Sequence, residues 1–199
     1  FYRNGPEEDQ YGTPPALRRQ EIAEAARRDR RLPPAEQIRV AADLSLQMQN
    51  EIDPLVRSDI VRALGSLNTE SAQQALRMAM NDAEVNVRIA ATQAWQKMGG
   101  EEASAALSEM LASDTNVDVR LAAIRALGAF RDQQAVRGLA IALDDADPML
   151  QHRAMESLKN VSGEDLGYDV VAWRNYAERS TVPSRRNGPN LVERMRGSF

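Results

Sequence analysis

A thirteen-residue phrase recurs in this chain. Residues 55–67 read LVRSDIVRALGSL, residues 86–98 read NVRIAATQAWQKM, and residues 118–130 read DVRLAAIRALGAF. The Val-Arg pair near the start of each copy stands at Val56-Arg57, Val87-Arg88 and Val119-Arg120, spacings of 31 and 32 residues. A period of this length marks an array of stacked supersecondary units. A fourth copy, 31 residues further on, has Leu150-Gln151 in place of the pair. The extra residue of the second unit is expected at Ser113-Asp114, between helices, where an insertion costs little.

The register extends to other columns. Ala63, Ala94, Ala126 and Ser157 align, as do Leu64, Trp95, Leu127 and Leu158, and Leu67, Met98, Phe130 and Val161. In the second half of each unit Ala72, Ala103 and Ala135 align, then Leu76, Leu107 and Leu139, then Met80, Leu111 and Leu143. Small and large apolar side chains at fixed places let stacked helices interdigitate. Within the third unit Val119, Ala122, Ala123, Ala126, Leu127 and Phe130 follow steps of three and four, one face of a helix. A turn is expected near Arg131-Asp132, then a second helix carrying Ala135, Leu139, Ala142 and Leu143. Asp147-Pro148 and Asp53-Pro54 read as an N-cap followed by a proline in the first turn. Neither helix of such a pair buries its apolar face alone, so repetition is the means of making a core.

The sequence therefore predicts an all-α, right-handed solenoid of about four to five helical hairpins. Residues 1–14 are expected to be a flexible extension, because Gly, Pro and charges break any helical period there. The solenoid is expected over 15–179. Capping helices fill 15–52, repeats 53–83, 84–116 and 117–147, and a C-terminal repeat or cap 148–179. Residues 180–199 form a basic tail in which Leu191, Val192, Met195 and Phe199 would line one side of a short docking helix. Trp173 and Tyr176 are expected to close the last apolar edge, a task suited to large aromatics.

The pattern D-x-x-V-R-x-x-A-x-x-A-L-G is carried by Asp53 with Val56-Arg57 and Ala63-Leu64-Gly65, by Val87-Arg88 with Ala91 and Ala94, and by Val119-Arg120 with Ala123 and Ala126-Leu127-Gly128. On these residues the chain resembles the HEAT-repeat superfamily, and its short repeats are similar to those of the phycobilisome-lyase type. The segment GEDLGYDVVAWRNY at 163–176 adds a likeness to HEAT-repeat proteins of planctomycetes, which implies a bacterial source. The resemblance implies a structural Asp–Arg ladder. Its expected members are Asp53, Asp82, Asp114 and Asp145 with Arg57, Arg88 and Arg120, and it ends at Gln151.

Little in the chain points to chemistry. With no cysteine and one histidine, zinc sites built from those ligands are excluded. His152 has no sequence-local carboxylate ligand motif, and no Gly-rich phosphate loop or nucleophile elbow is present. Glu101-Glu102 reads as the acidic start of a helix. No cofactor or metal is expected, and the protein is read as non-enzymatic. No apolar run approaches the length of a membrane span.

Charge is uneven. Residues 35–178 hold 13 basic and 22 acidic groups, whereas 179–199 hold 5 basic and 1 acidic. An acidic body disfavours nucleic acid, whose affinity comes from cation–phosphate contacts. The basic tail suits an acidic partner or surface. The chain begins at Phe1 rather than Met, as a processed or trimmed chain would. A signal segment ahead of it would place the protein in the envelope, and its absence in the cytoplasm.

What remains is a surface. The resemblance implies that second helices line a concave face. Positions there that point away from the core columns are Gln74, Ala105 and Arg137; Arg77, Ser108 and Ala140; and Met78, Glu109 and Ile141. Gln74, Arg77, Met78, Ser108, Glu109, Arg137 and Ile141 are the expected contacts for a helix or extended peptide, with Arg and large apolar residues as anchors. The function expected is a protein-binding scaffold or adaptor. The alternative is an accessory subunit or lyase-like chaperone that assists an enzyme or cofactor attachment.

Overall fold

The computed structural model describes residues 13–29 and 32–179, with side chains described over 13–24 and 32–179. Residues 1–12 of the extension expected over 1–14, the tail at 180–199 and its docking helix lie outside the described residues. Every regular element among the described residues is helical. The α-helices are α1 (Pro15–Asp29), α2 (Pro34–Asn50), α3 (Pro54–Leu64), α4 (Glu70–Ala79), α5 (Val85–Met98), α6 (Gly100–Ser113), α7 (Val117–Leu127), α8 (Gln133–Ile141), α9 (Pro148–Ser162) and α10 (Val170–Arg179), with a 3₁₀ turn at Ala142–Asp144 after α8.

Local chemistry sets the boundaries. The Asp53 carboxylate accepts from the Leu55 and Val56 N–H groups, and the Asp147 carboxylate from that of Met149, each just before a proline at the head of its helix. Asn116, Thr69 and Asp132 cap α7, α4 and α8 in the same way. Gly163, at φ 78°, ends α9 in the left-handed conformation that favours glycine. The extra residue of the second unit lengthens α6, because Ser113 is its last residue and Asp114 its C-cap. The insertion is absorbed by helix and not by a linker.

The odd-numbered helices stack in one layer, α1 on α3, α3 on α5, α5 on α7 and α7 on α9. The even-numbered helices form the second layer, with α2 on α4, α6 on α8 and α10 on α8. The core lies between the layers. Val56, Val87, Val119 and Leu150 are buried in one column, Leu64, Trp95, Leu127 and Leu158 in another, and Leu76, Leu107 and Leu139 in a third. Two helix pairs break the regularity. α1 packs on α3 and hardly touches α2, and α4 and α6 do not approach each other as α6 and α8 do. Trp95 takes a place filled by leucine in the other three units and is fully buried on α5, which packs against both α4 and α6.

Candidate functional site: the outer face of the second layer

The units are joined along one edge by charged rungs. Arg57 donates through Nε and a terminal nitrogen to both Asp82 oxygens, at 2.8 and 2.9 Å, and through its other arm to the Glu51 and Ile52 carbonyls. Arg88 repeats the pattern on Asp114, at 2.7 and 3.2 Å, and on the Asp82 and Ala83 carbonyls. Arg120 pairs with Asp145. At Gln151 the side-chain amide donates to the Asp145 carbonyl at 2.7 Å, which retains the carbonyl half of a rung and lacks the carboxylate half.

Burial pushes the Asp82 carboxyl up, but hydrogen bonds from Arg57 and the Glu84 N–H, with the charges of Arg57 and Arg88, hold it below the ordinary carboxylate value. The hydrogen bond to Asp114 leads the causes that raise the Arg88 guanidinium, against the effect of burial.

Asp53 departs from the expected ladder. It caps α3 and aligns with Glu84, Asn116 and Asp147, which hold the same place before their helices. The carboxylate of the ladder column is Glu51, met at 3.0 Å on both oxygens by Arg18 of α1. Arg18 is the fourth residue of α1, as Arg57 is of α3. This first rung was hidden because the first unit is longer than the others and carries Glu in place of Asp.

On the second layer the structure leaves Gln74, Arg77, Met78, Glu109, Arg137 and Ile141 exposed. Met78 is 45 % and Ile141 43 % exposed. Ser108 does not join them. It is 6 % exposed, donates to the Ser104 carbonyl at 2.7 Å and is packed against α8, where Gly138 admits it. A Cβ on Gly138 would lie 2.1 Å from the Ser108 hydroxyl oxygen. Arg77, in the equivalent place one unit earlier, is exposed because α4 and α6 stand apart. It pairs with Glu102 across that gap, and its guanidinium lies 5.9 Å from the centre of the Trp95 ring.

The structure adds residues the sequence reading passed over. Ile38 and Leu46 of α2 are 57 % and 62 % exposed, with Ala42 between them on the same helical face. The opposite face of α2 buries Ala41, Leu44 and Met48. Apolar residues at 38, 41, 42, 44, 46 and 48 surround too much of the helix for one buried stripe, and that excess width was the available signal.

At the other end a groove of about 370 Å³ separates α8 from α10 and is lined by Arg137, Ala140, Ile141, Asp144, Arg174, Ala177 and Glu178. Arg174 pairs with Asp144.

Trp173 is fully buried and donates from its indole nitrogen to the Gly167 carbonyl at 2.8 Å, with Tyr176 against it edge to face. His152 stacks on Tyr168 with ring centres 4.6 Å apart, and its Nε2 lies 3.5 Å from Glu156, one helical turn on. Among the described residues no group of three or more His, Cys, Asp or Glu is placed to hold a metal ion, and no helix is long and apolar enough to cross a membrane.

Paired helices in two layers, joined by an Arg–carboxylate ladder, define an α-solenoid of short helical repeats. The family model for HEAT repeats matches residues 41–127 and 105–173, and the chain belongs to that family. A chain from the complex of CpcE and CpcF of phycocyanin lyase from Nostoc sp. PCC7120 has a similar fold. Its TM-score is 0.52 at 21 % identity over 82 % of this chain and 69 % of that one. Among curated proteins none matches.

Proposed function

We propose that this protein is a non-catalytic interaction scaffold that docks a protein partner on the outer face of its second helical layer. One observation carries the reading. Among the described side chains, the large apolar residues exposed in the body of a helix, after its first turn, are Ile38, Leu46, Met78 and Ile141, all on that layer, whereas Leu17, Leu55 and Met149 are exposed in the first turns of first-layer helices, Val171 in that of α10, and Ile52 and Tyr168 between helices. The outer positions of the first layer are polar or charged, with Asp59, Arg62, Gln93, Gln96, Arg125 and Arg153. Both layers belong to one stack and meet the same solvent, so the asymmetry is not a demand of folding. Exposed apolar residues gathered on one face mark an interaction surface.

The test is site-specific photocross-linking in the cells that make the protein. A benzophenone side chain at position 78 or 141 should give a discrete protein adduct, and one at position 93 or 125 should not. Met78→Asp with Ile141→Asp should abolish the adduct from position 74 while leaving the far-ultraviolet circular dichroism unchanged. Equal adducts from both layers would overturn the assignment. The second reading, an accessory subunit that assists an enzyme, draws on the likeness to a chain of the phycocyanin lyase complex, and at 21 % identity that likeness reaches the fold alone. A small molecule that copurifies with the protein would favour it.

A further inference from the structure

The outer face of α2 carries a pattern that is complementary to itself. Ala35, Ile38, Ala42 and Leu46 are exposed and by helical geometry fall within about 80° of one another, so they form one stripe along the helix. A large side chain stands on either side of a small one, with Ile38 and Leu46 each four residues from Ala42. One flank of the stripe holds Arg39 and Asp43, opposite in charge, exposed, and each without an ion-pair or hydrogen-bond partner among the described residues. The other flank is neutral, with Gln49 and with Ser45, whose hydroxyl donates to the Ala41 and Ser71 carbonyls. α2 begins the second layer, packs on α3 and α4 and hardly touches α1, so no described helix covers the stripe. We propose that this stripe pairs with the same stripe of a second copy of the chain, the two α2 helices running antiparallel about a two-fold axis at Ala42. The pairing goes beyond the docking of a partner on the second layer. It assigns the α2 end of that layer to self-association and leaves Met78 and Ile141 to the partner.

Register and charge select a second copy. In a two-fold contact, if one residue meets another, the second meets the first in return. A helix rises about 1.5 Å per residue, so Ile38 lies about 6 Å to one side of Ala42, at the height of the second copy's Leu46. The large–small–large order reads the same in both directions, and Ala42 at the crossing lets the two backbones come close. Arg39 falls within about 3 Å along the axis of the second copy's Asp43 and on the same flank, so two Arg–carboxylate pairs form together. Glu36, on that flank, comes as near to the second copy's Asn50, an amide. A parallel pair would set Arg39 against Arg39 and Asp43 against Asp43. A partner of one sign of charge would gain at one of these residues and lose at the other. One helix on one helix is a small interface, so the expected dissociation constant is about 1–100 µM.

The test is sedimentation equilibrium of the full chain, which should pass from 22.0 kDa to twice that mass as its concentration rises through this range. Arg39→Glu and Asp43→Arg should each weaken self-association about ten-fold or more. An equimolar mixture of the two variants should associate again, because each then offers the charge that the other lacks. The chain has no cysteine, so cross-linking reads the register directly. Ala42→Cys should give a disulfide dimer under mild oxidation, because the axis brings the two positions within the reach of that bond, about 7 Å between Cα atoms. Ala35→Cys should not, because its two copies stand about 21 Å apart along the helices. All four variants are at exposed positions and should keep the far-ultraviolet circular dichroism of the parent chain. A mass of 22.0 kDa at every concentration would overturn the proposal and leave α2 to a different protein. So would a mixture that associates no better than its parts, or cross-linking at position 35 as fast as at position 42. Dimers without adducts from positions 78 and 141 would remove the docked partner and leave this pairing, and adducts from a monomeric chain would do the reverse.

Discussion

Substitution of Gly65 by alanine tests the packing that the whole stack depends on. Gly65 follows α3 directly with φ −61°, a value open to any residue, so backbone strain plays no part. A Cβ there would lie 2.6 Å from the Ala94 Cα, 2.7 Å from its Cβ and 2.9 Å from its carbonyl oxygen. Carbon atoms settle at about 3.5–4.0 Å, so α5 must retreat from α3 by about 1 Å. The obstacle is mainly helix backbone, which has no rotamer to escape into, and α5 is held from behind by α7. Overpacking of this kind costs about 1–3 kcal/mol, and alanine returns about 0.4–1 kcal/mol by restricting the unfolded chain. The expected loss is therefore about 1–2 kcal/mol.

Gly128 is the matched control, two units on, with φ −62°. Its added Cβ would meet the Ser157 hydroxyl oxygen at 2.9 Å and Cβ at 3.1 Å. That hydroxyl can swing away and give up its 3.3 Å bond to the Ile124 carbonyl, at a cost of about 0.5 kcal/mol. Urea unfolding followed by circular dichroism measures both variants. A Gly65→Ala midpoint at or above that of the parent chain, or a larger loss in Gly128→Ala, refutes the argument.

Other expectations follow from the same contacts. Arg88→Leu strands the Asp114 carboxylate, whose side chain is 7 % exposed, and should cost about 2–4 kcal/mol in urea unfolding. Arg88→Gln should cost less, because an amide at this place can hold the Asp82 carbonyl as Gln151 holds that of Asp145. Asp82 has a folded pKa below its ordinary value, so its contribution to stability is complete above the ordinary carboxylate range and is lost as pH falls through the lowered value. Thermal melts from neutral to acid pH should therefore decline less steeply in Asp82→Asn, and an unchanged slope would contradict the assignment. Gly138→Ala should lower the melting temperature through its clash with Ser108, and adding Ser108→Ala should restore part of the loss. Equal melting temperatures for the single and double variants would show that α6 and α8 do not meet there.

Columns such as Val56, Val87 and Val119 were legible in the sequence because a core position in a stack is apolar in every unit. The surface was less so, because exposure depends on the neighbouring unit. Arg77 and Ser108 hold the same place in their helices, yet one pairs with Glu102 across the gap between α4 and α6 and the other faces Gly138. A contact between units is not written in either helix alone. Asp53 was misread for a different reason. Glu51 and Asp53 are two residues apart in one turn, and only coordinates tell which carboxylate caps a helix and which meets an arginine.

Each rung of the ladder takes its arginine from one unit and its carboxylate from the turn that leads into the next. Removal of residues 83–114 would take out Arg88 and Asp114 together and bring Asp82, still held by Arg57, to the head of the following turn. Growth by one unit would insert a matched cation and anion in the same manner. Such a chain can change its length by whole links and stay electrically balanced at every joint, so the number of links is free to follow the size of whatever the array must hold.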